Sequence, residues 1–142
     1  KVKYSDALAV SGLSGSTRPP VKFGVLFADF DLDGRLDLFI SNGHLEPDIS
    51  KLDPSQSYQQ PAQLFWNTGQ EKPIFEPVPQ DKTGPDLVQP VVGRGCATLD
   101  FDGDGDLDLV ISPNGSHAQL FRNEQTHQNK WIRLNLVGDG VK

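Results

Sequence analysis

The chain has 142 residues, enough for one domain with a real core, and 36% are hydrophobic, with two Trp and eight Phe to anchor that core. Lys and Arg number 13 against 19 Asp and Glu, a net charge of −6, which argues against nucleic acid or an anionic membrane as the main partner. No apolar stretch approaches the roughly 18 residues of a membrane helix, so no membrane insertion is expected. The single Cys, Cys96, excludes an intrachain disulfide.

The 14 Gly and 11 Pro favour turns and short strands over long helices. In chain order, Val25-Leu26-Phe27-Ala28 is a strand that enters an acidic loop, and Leu36-Asp37-Leu38-Phe39-Ile40 is the strand that leaves it. Residues 44–61, rich in Pro, Ser, Gln and Asp, form a surface loop. Strands follow at Ala62 to Trp66 and Ile74 to Val78. Cys96 to Leu99 enters a second acidic loop, and Leu107 to Ile111 leaves it. Ala118 to Phe121 is the next strand. Trp131 to Val137, apolar at close to every second position, is expected to be the last. Cys96 sits in an apolar run and reads as a small buried hydrophobe.

The chain is two copies of one unit. Asp29-Phe30-Asp31-Leu32-Asp33-Gly34-Arg35-Leu36-Asp37-Leu38 matches Asp100-Phe101-Asp102-Gly103-Asp104-Gly105-Asp106-Leu107-Asp108-Leu109 at an offset of 71, and Gly24 falls on Gly95. Gln63-Leu64-Phe65-Trp66-Asn67 matches Gln119-Leu120-Phe121-Arg122-Asn123 at an offset of 56, the difference being taken up by the long loop. The units divide as residues 1–72, residues 73–130 and a final strand segment, 131–142. The expected fold is all-β: two four-stranded antiparallel blades of the β-propeller kind, as a fragment of a larger propeller or an assembly of copies.

Nine of the 19 acids fall in the two loops. A hard divalent cation wants six to eight oxygens at short range, and a chain supplies them when carboxylates recur at every second position of a tight loop. With Asp29 as position one, Asp31, Asp33 and Asp37 stand at three, five and nine, and Arg35 at seven offers its carbonyl. Asp100, Asp102, Asp104, Asp106 (by its carbonyl) and Asp108 repeat the pattern. Gly34 and Gly105 at position six predict a sharp turn with φ above zero. The expected cofactor is calcium at two sites. Position twelve is Ile40 or Ile111, where a helical calcium hand needs Glu, so Asp37 and Asp108 must close the site. Magnesium tolerates a flexible all-protein cage poorly, and His44, His117 and His127 lack the ligand spacing zinc would need. His44 reads as a turn residue, and Trp66 and Trp131 read as core fillers.

These residues resemble the FG-GAP/VCBS repeats, the calcium-binding blades of integrin-α-type β-propellers. Phe23-Gly24 resembles the Phe-Gly that names the repeat, and the second copy departs to Val92-Gly93. Ser11-Gly12-Leu13, Ser41-Asn42-Gly43-His44, Gly93-Arg94-Gly95 and Trp131-Ile132-Arg133-Leu134-Asn135-Leu136-Val137-Gly138 are similar to the ASPIC/UnbV branch, so that the resemblance runs from about Tyr4 to Gly138. It implies an extracellular or periplasmic propeller, stabilised by calcium, that binds or scaffolds a protein or glycan partner. It does not imply an enzyme. The alternative is a non-catalytic or lectin-like part of an extracellular carbohydrate-active protein. A closed propeller needs more than two blades, so further blades or copies of the chain are expected to cover the sheet edges.

Overall fold

The computed structural model describes residues 2–126 and 129–138. Among these residues seven strands form two antiparallel sheets. The first runs β1 (Lys22–Ala28), β2 (Asp37–Asn42), β3 (Gln63–Asn67) and β4 (Phe75–Pro77) in sequence order. The second runs β5 (Gly93–Leu99), β6 (Asp108–Pro113) and β7 (Gln119–Phe121). Single-turn helices α1 (Leu8–Ser11), α2 (Ile49–Leu52) and α3 (Gln80–Thr83) sit in the connections. No helix among the described residues is long and apolar enough to cross a membrane.

The two sheets repeat each other in register. β1 pairs with β2 through Leu26–Phe39 and Phe27–Leu38, and β5 pairs with β6 through Ala97–Val110 and Thr98–Leu109, the same positions 71 residues on. The register slips at Lys22/Gly24 in one and at Gly93/Gly95 in the other, so the glycine pair found in the sequence marks a shared irregularity at the start of each sheet. A side chain at Gly24 would place its Cβ 2.7 Å from the Cys96 sulfur and 3.0 Å from the Arg94 carbonyl, so the missing Cβ lets β1 and β5 approach.

Central β2 is buried along its whole length, and its two faces go to different cores. Leu26, Ala28, Phe39 and Leu64 pack against Cys96, Leu109, Ile111 and Phe121 of the second sheet. Leu38, Ile40 and Phe65 turn the other way, to Leu13 and Phe75. In the repeat, Leu109 and Ile111 correspond to Leu38 and Ile40 and not to Phe39. The sheets therefore stack front to back, each offering a different face to the other. The outward face of the second sheet, with Leu99 and Leu120, is left open.

One expected strand is absent. Residues 131–137 have no strand pairing, and Ile132, Leu134, Leu136 and Val137 are exposed, so among the described residues the second sheet has three strands and not four. Period-two patterning gives a segment two faces but not an edge to pair with. Here Trp131 and Arg133 are instead drawn onto the second acidic loop, as described below. Residues 139–142 and His127 lie outside the described residues.

Candidate metal centre

Each acidic loop joins the first two strands of its sheet, and its backbone is bent at two left-handed residues. These are Leu32 (φ 58°) and Gly34 (φ 88°) in the first loop, and Gly103 (φ 80°) and Gly105 (φ 97°) in the second. Position four is thus left-handed in both copies, although only the second uses glycine there. Leu32 pays about 1–2 kcal/mol for that conformation. The bends are closed by carboxylates that accept backbone N–H groups. Asp29 accepts from Asp33 (3.0 Å) and Gly34 (2.8 Å), and Asp33 accepts from Arg35 (2.8 Å). In the second loop Asp100 accepts from Gly103 (2.8 Å), Asp102 from Asp104 (3.3 Å) and Asp104 from Asp106 (3.1 Å).

Position nine ties the loop to the sheet. Asp37, 1% exposed, accepts from the backbone N–H of Phe30 (3.2 Å) on one oxygen and of Asn67 (2.8 Å) on the other. Asp108, equally buried, accepts from Phe101 (2.7 Å) and Asn123 (2.8 Å) in the same way. The two asparagines donate in turn: Asn67 Nδ2 to the Leu36 carbonyl (3.0 Å), and Asn123 Nδ2 to that of Phe30 in the first loop (2.8 Å). Asn123 therefore links the two loops.

The carboxylates converge in two groups. Oxygens of Asp29, Asp31 and Asp37 lie within 4.8 Å of one another, as do those of Asp100, Asp102 and Asp104, and either group could hold a metal ion. Asp33 stands apart from the first group, paired with the guanidinium of Arg35, which also reaches the Asn67 carbonyl (3.1 Å). Asp106, at the position expected to offer only a carbonyl, turns its side chain inward. It is 5% exposed, and its Oδ1 is buried with no hydrogen-bond partner among the described residues. Burial, then the charge of Asp104, a hydrogen bond with it, and the charges of Asp108 and Asp102 push the Asp106 carboxyl up to about 7. Burial is also the main reason that Asp37 rises to about 6: its two backbone hydrogen bonds oppose the rise, and the charges of Asp31 and Asp33 add to it. His44 is elsewhere, its Nδ1 accepting from the Glu46 N–H (3.0 Å).

No family model matches the chain. Over 141 aligned residues it is 35% identical to cartilage acidic protein 1 of Xenopus tropicalis, and over 138 it is 33% and 32% identical to the proteins of that name from Mus musculus and Homo sapiens. The chain is homologous to a segment of cartilage acidic protein 1. Each alignment takes in 94% of this chain but only 18–19% of the relative, so the chain spans about a fifth of the proteins it matches.

Two sets of residues at the loops were not singled out from the sequence. Asn67 and Asn123 carried a signal, since both stand in the match at offset 56, but a conserved place in a repeat does not say what a side chain binds. Arg133 carried none, and Trp131, expected to fill a core, is instead 45% exposed and lies on the second loop. Arg133 meets Asp100 Oδ2 at 2.5 Å, and the Trp131 indole occupies the space that a Cβ at Gly105 would need. Both contacts span about 30 residues of sequence and depend on the tertiary path of the chain.

Proposed function

We propose that this chain is a pair of calcium-binding blades of an FG-GAP/VCBS-type β-propeller in an ASPIC/UnbV-type protein. It serves as an extracellular or periplasmic binding or scaffolding module and not as an enzyme. The observation that carries the reading is the Asp106 carboxyl, buried beside Asp104 and the charges of Asp102 and Asp108 with one oxygen unpartnered. An unpaired buried acceptor among like charges is costly unless a cation joins it. The first loop shares the bends and the position-nine latch, which extends the reading to both copies.

The donor set fits calcium. Among the described residues both groups are made of carboxylates alone, without His or Cys, and they sit in loops of flexible type. Asp29, Asp31, Asp33, Asp37 and the Arg35 carbonyl would hold one ion; Asp100, Asp102, Asp104, Asp106 and Asp108 would hold the other. A bound ion would neutralise the crowded acids and hold together the two strands each loop joins. Front-to-back stacking of the sheets supports a propeller, because an open outer face equivalent to one that already carries a neighbour can take a further blade. The relatives are named for cartilage and for acidity, and this chain is itself acidic at net −6. All-oxygen loops of extracellular modules fill at about 10⁻⁴ to 10⁻³ M, well above resting cytosolic calcium. Calorimetric titration is expected to give two calcium ions per chain in that range. Preference for zinc, or no binding heat at millimolar calcium, refutes the reading.

A further inference from the structure

The two position-nine carboxylates belong to different sheets, yet one run of hydrogen bonds joins them. Asp37 Oδ2 accepts from the backbone N–H of Phe30 (3.2 Å). The carbonyl of the same Phe30 accepts from Asn123 Nδ2 (2.8 Å). Asn123 then donates its backbone N–H to Asp108 Oδ1 (2.8 Å). Its counterpart in the first unit, Asn67, makes the same backbone bond, to Asp37 Oδ1 (2.8 Å), but turns its Nδ2 to the Leu36 carbonyl of its own loop (3.0 Å). Asn123 keeps a long version of that bond, 3.4 Å to the Leu107 carbonyl, and gives the shorter one to the neighbouring loop. The run is shielded from water, since Asp37 and Asp108 are each 1% exposed and Phe30 is buried. A second amide, Asn129 Nδ2, ties the units at another point, the Asp31 carbonyl (2.8 Å).

We propose that Asn123 couples the two acidic loops, so that a cation in either one raises the affinity of the other. Asn123 acts as a positioning residue. When the second loop closes on an ion, Asp108 is fixed, and the Asn123 backbone N–H is fixed with it. The Asn123 amide then holds the Phe30 carbonyl, and the Phe30 N–H is presented to Asp37, the carboxylate that closes the first loop. The same bonds act in reverse when the first loop fills, and linkage requires the same factor in both directions. Repulsion between the two ions opposes the effect but is screened by salt, whereas a buried hydrogen bond is screened much less. One hydrogen bond carries the link, so the factor is about two- to tenfold. The proposal rests on the calcium reading given above, in which the buried Asp106 oxygen gives the second loop its demand for a cation.

The test is calorimetric titration of the 142-residue chain with calcium at about 0.15 M salt. The parent is compared with chains in which one loop is disabled by Asp29→Asn or by Asp100→Asn. Each loop is expected to bind about two- to tenfold more weakly when the other is disabled, by the same factor both ways. Asn123→Ala keeps the backbone N–H on Asp108 and loses the amide on Phe30, so both loops still bind but disabling one no longer weakens the other. Asn123→Leu, close to the same shape without a donor, does the same. Asn67→Ala weakens the first loop and leaves the coupling, and Asn129→Ala leaves it as well. In the Asp29→Asn chain, calcium entering the second loop shifts the Phe30 amide resonance, and Asn123→Leu abolishes that shift. Loops that bind independently in the parent, or coupling that survives both Asn123 variants, overturn the proposal and leave the calcium reading standing. The absence of binding heat in every variant overturns the calcium reading, and the coupling with it.

Discussion

Asp37→Asn separates the two duties of the position-nine carboxylate. Asp37 is almost wholly buried, and its ionised form is disfavoured, since burial and two neighbouring acids raise it to about 6 despite two backbone hydrogen bonds. A rise of roughly two pH units amounts to about 3 kcal/mol against the charged form once the pH is well above 6. The amide removes that charge at almost the same volume. It also turns an NH₂ toward one of the N–H groups of Phe30 and Asn67, which takes back about 1–3 kcal/mol. In chelator at pH 8 the charge relief wins or draws. With about 3 °C per kcal/mol for a chain of this size, the variant melts level with its parent or a few degrees higher. Calcium at 100 times its dissociation constant contributes about 2.7 kcal/mol, or about 8 °C, per loop to the parent. Asp37→Asn loses most of the first loop's share. Thermal melts of both chains, in chelator and in millimolar calcium, check this. A variant that melts well below its parent in chelator and gains as much from calcium would show that Asp37 is a latch only.

Other outcomes follow from the same geometry. Removing calcium from the loaded chain with chelator is expected to lower the melting temperature by several degrees, and an unchanged scanning-calorimetry trace counts against structural ions. In the metal-free chain, Asp37 and Asp106 have folded pKa values above the unfolded 3.8, so their contribution is present below about pH 4 and is lost as the pH rises through about 6 and 7. Chelated protein should therefore resist urea less at pH 8 than at pH 5; the reverse slope would contradict the burial of these acids. Gly93→Ala would drive a Cβ into the Ser41 hydroxyl and within 2.7 Å of the Asn42 carbonyl, where backbone cannot yield. A loss of about 1–3 kcal/mol in urea unfolding is expected, and a neutral result would mean that β2 and β5 are not held this closely.

The sequence by itself determined the parts of this protein that are local and repeated. Alternating Asp with Gly at position six is a property of nine consecutive residues, and it placed both loops between strands, with Gly34 and Gly105 at positive φ. Strand positions were legible because each buried strand is an apolar run bounded by turn residues, although β1 and β5 begin three residues earlier than hydrophobicity alone suggests, across glycine-marked irregularities. The relation of the sheets could not be read in this way. Leu38 and Phe39 are both apolar, and only packing decides that Phe39 meets the second sheet while Leu38 turns to Leu13 and Phe75. Likewise Leu32 gives no sign that it adopts the left-handed conformation of Gly103, because that bend is imposed by the closure of the loop. Trp131 to Val137 shows the limit most plainly. Its alternation is compatible with a strand, yet an ion pair with Asp100 and a ring seated on Gly105 hold its first residues on the acidic loop. Side-chain pattern fixes which faces a segment has, whereas contacts distant in sequence decide where the chain carries it.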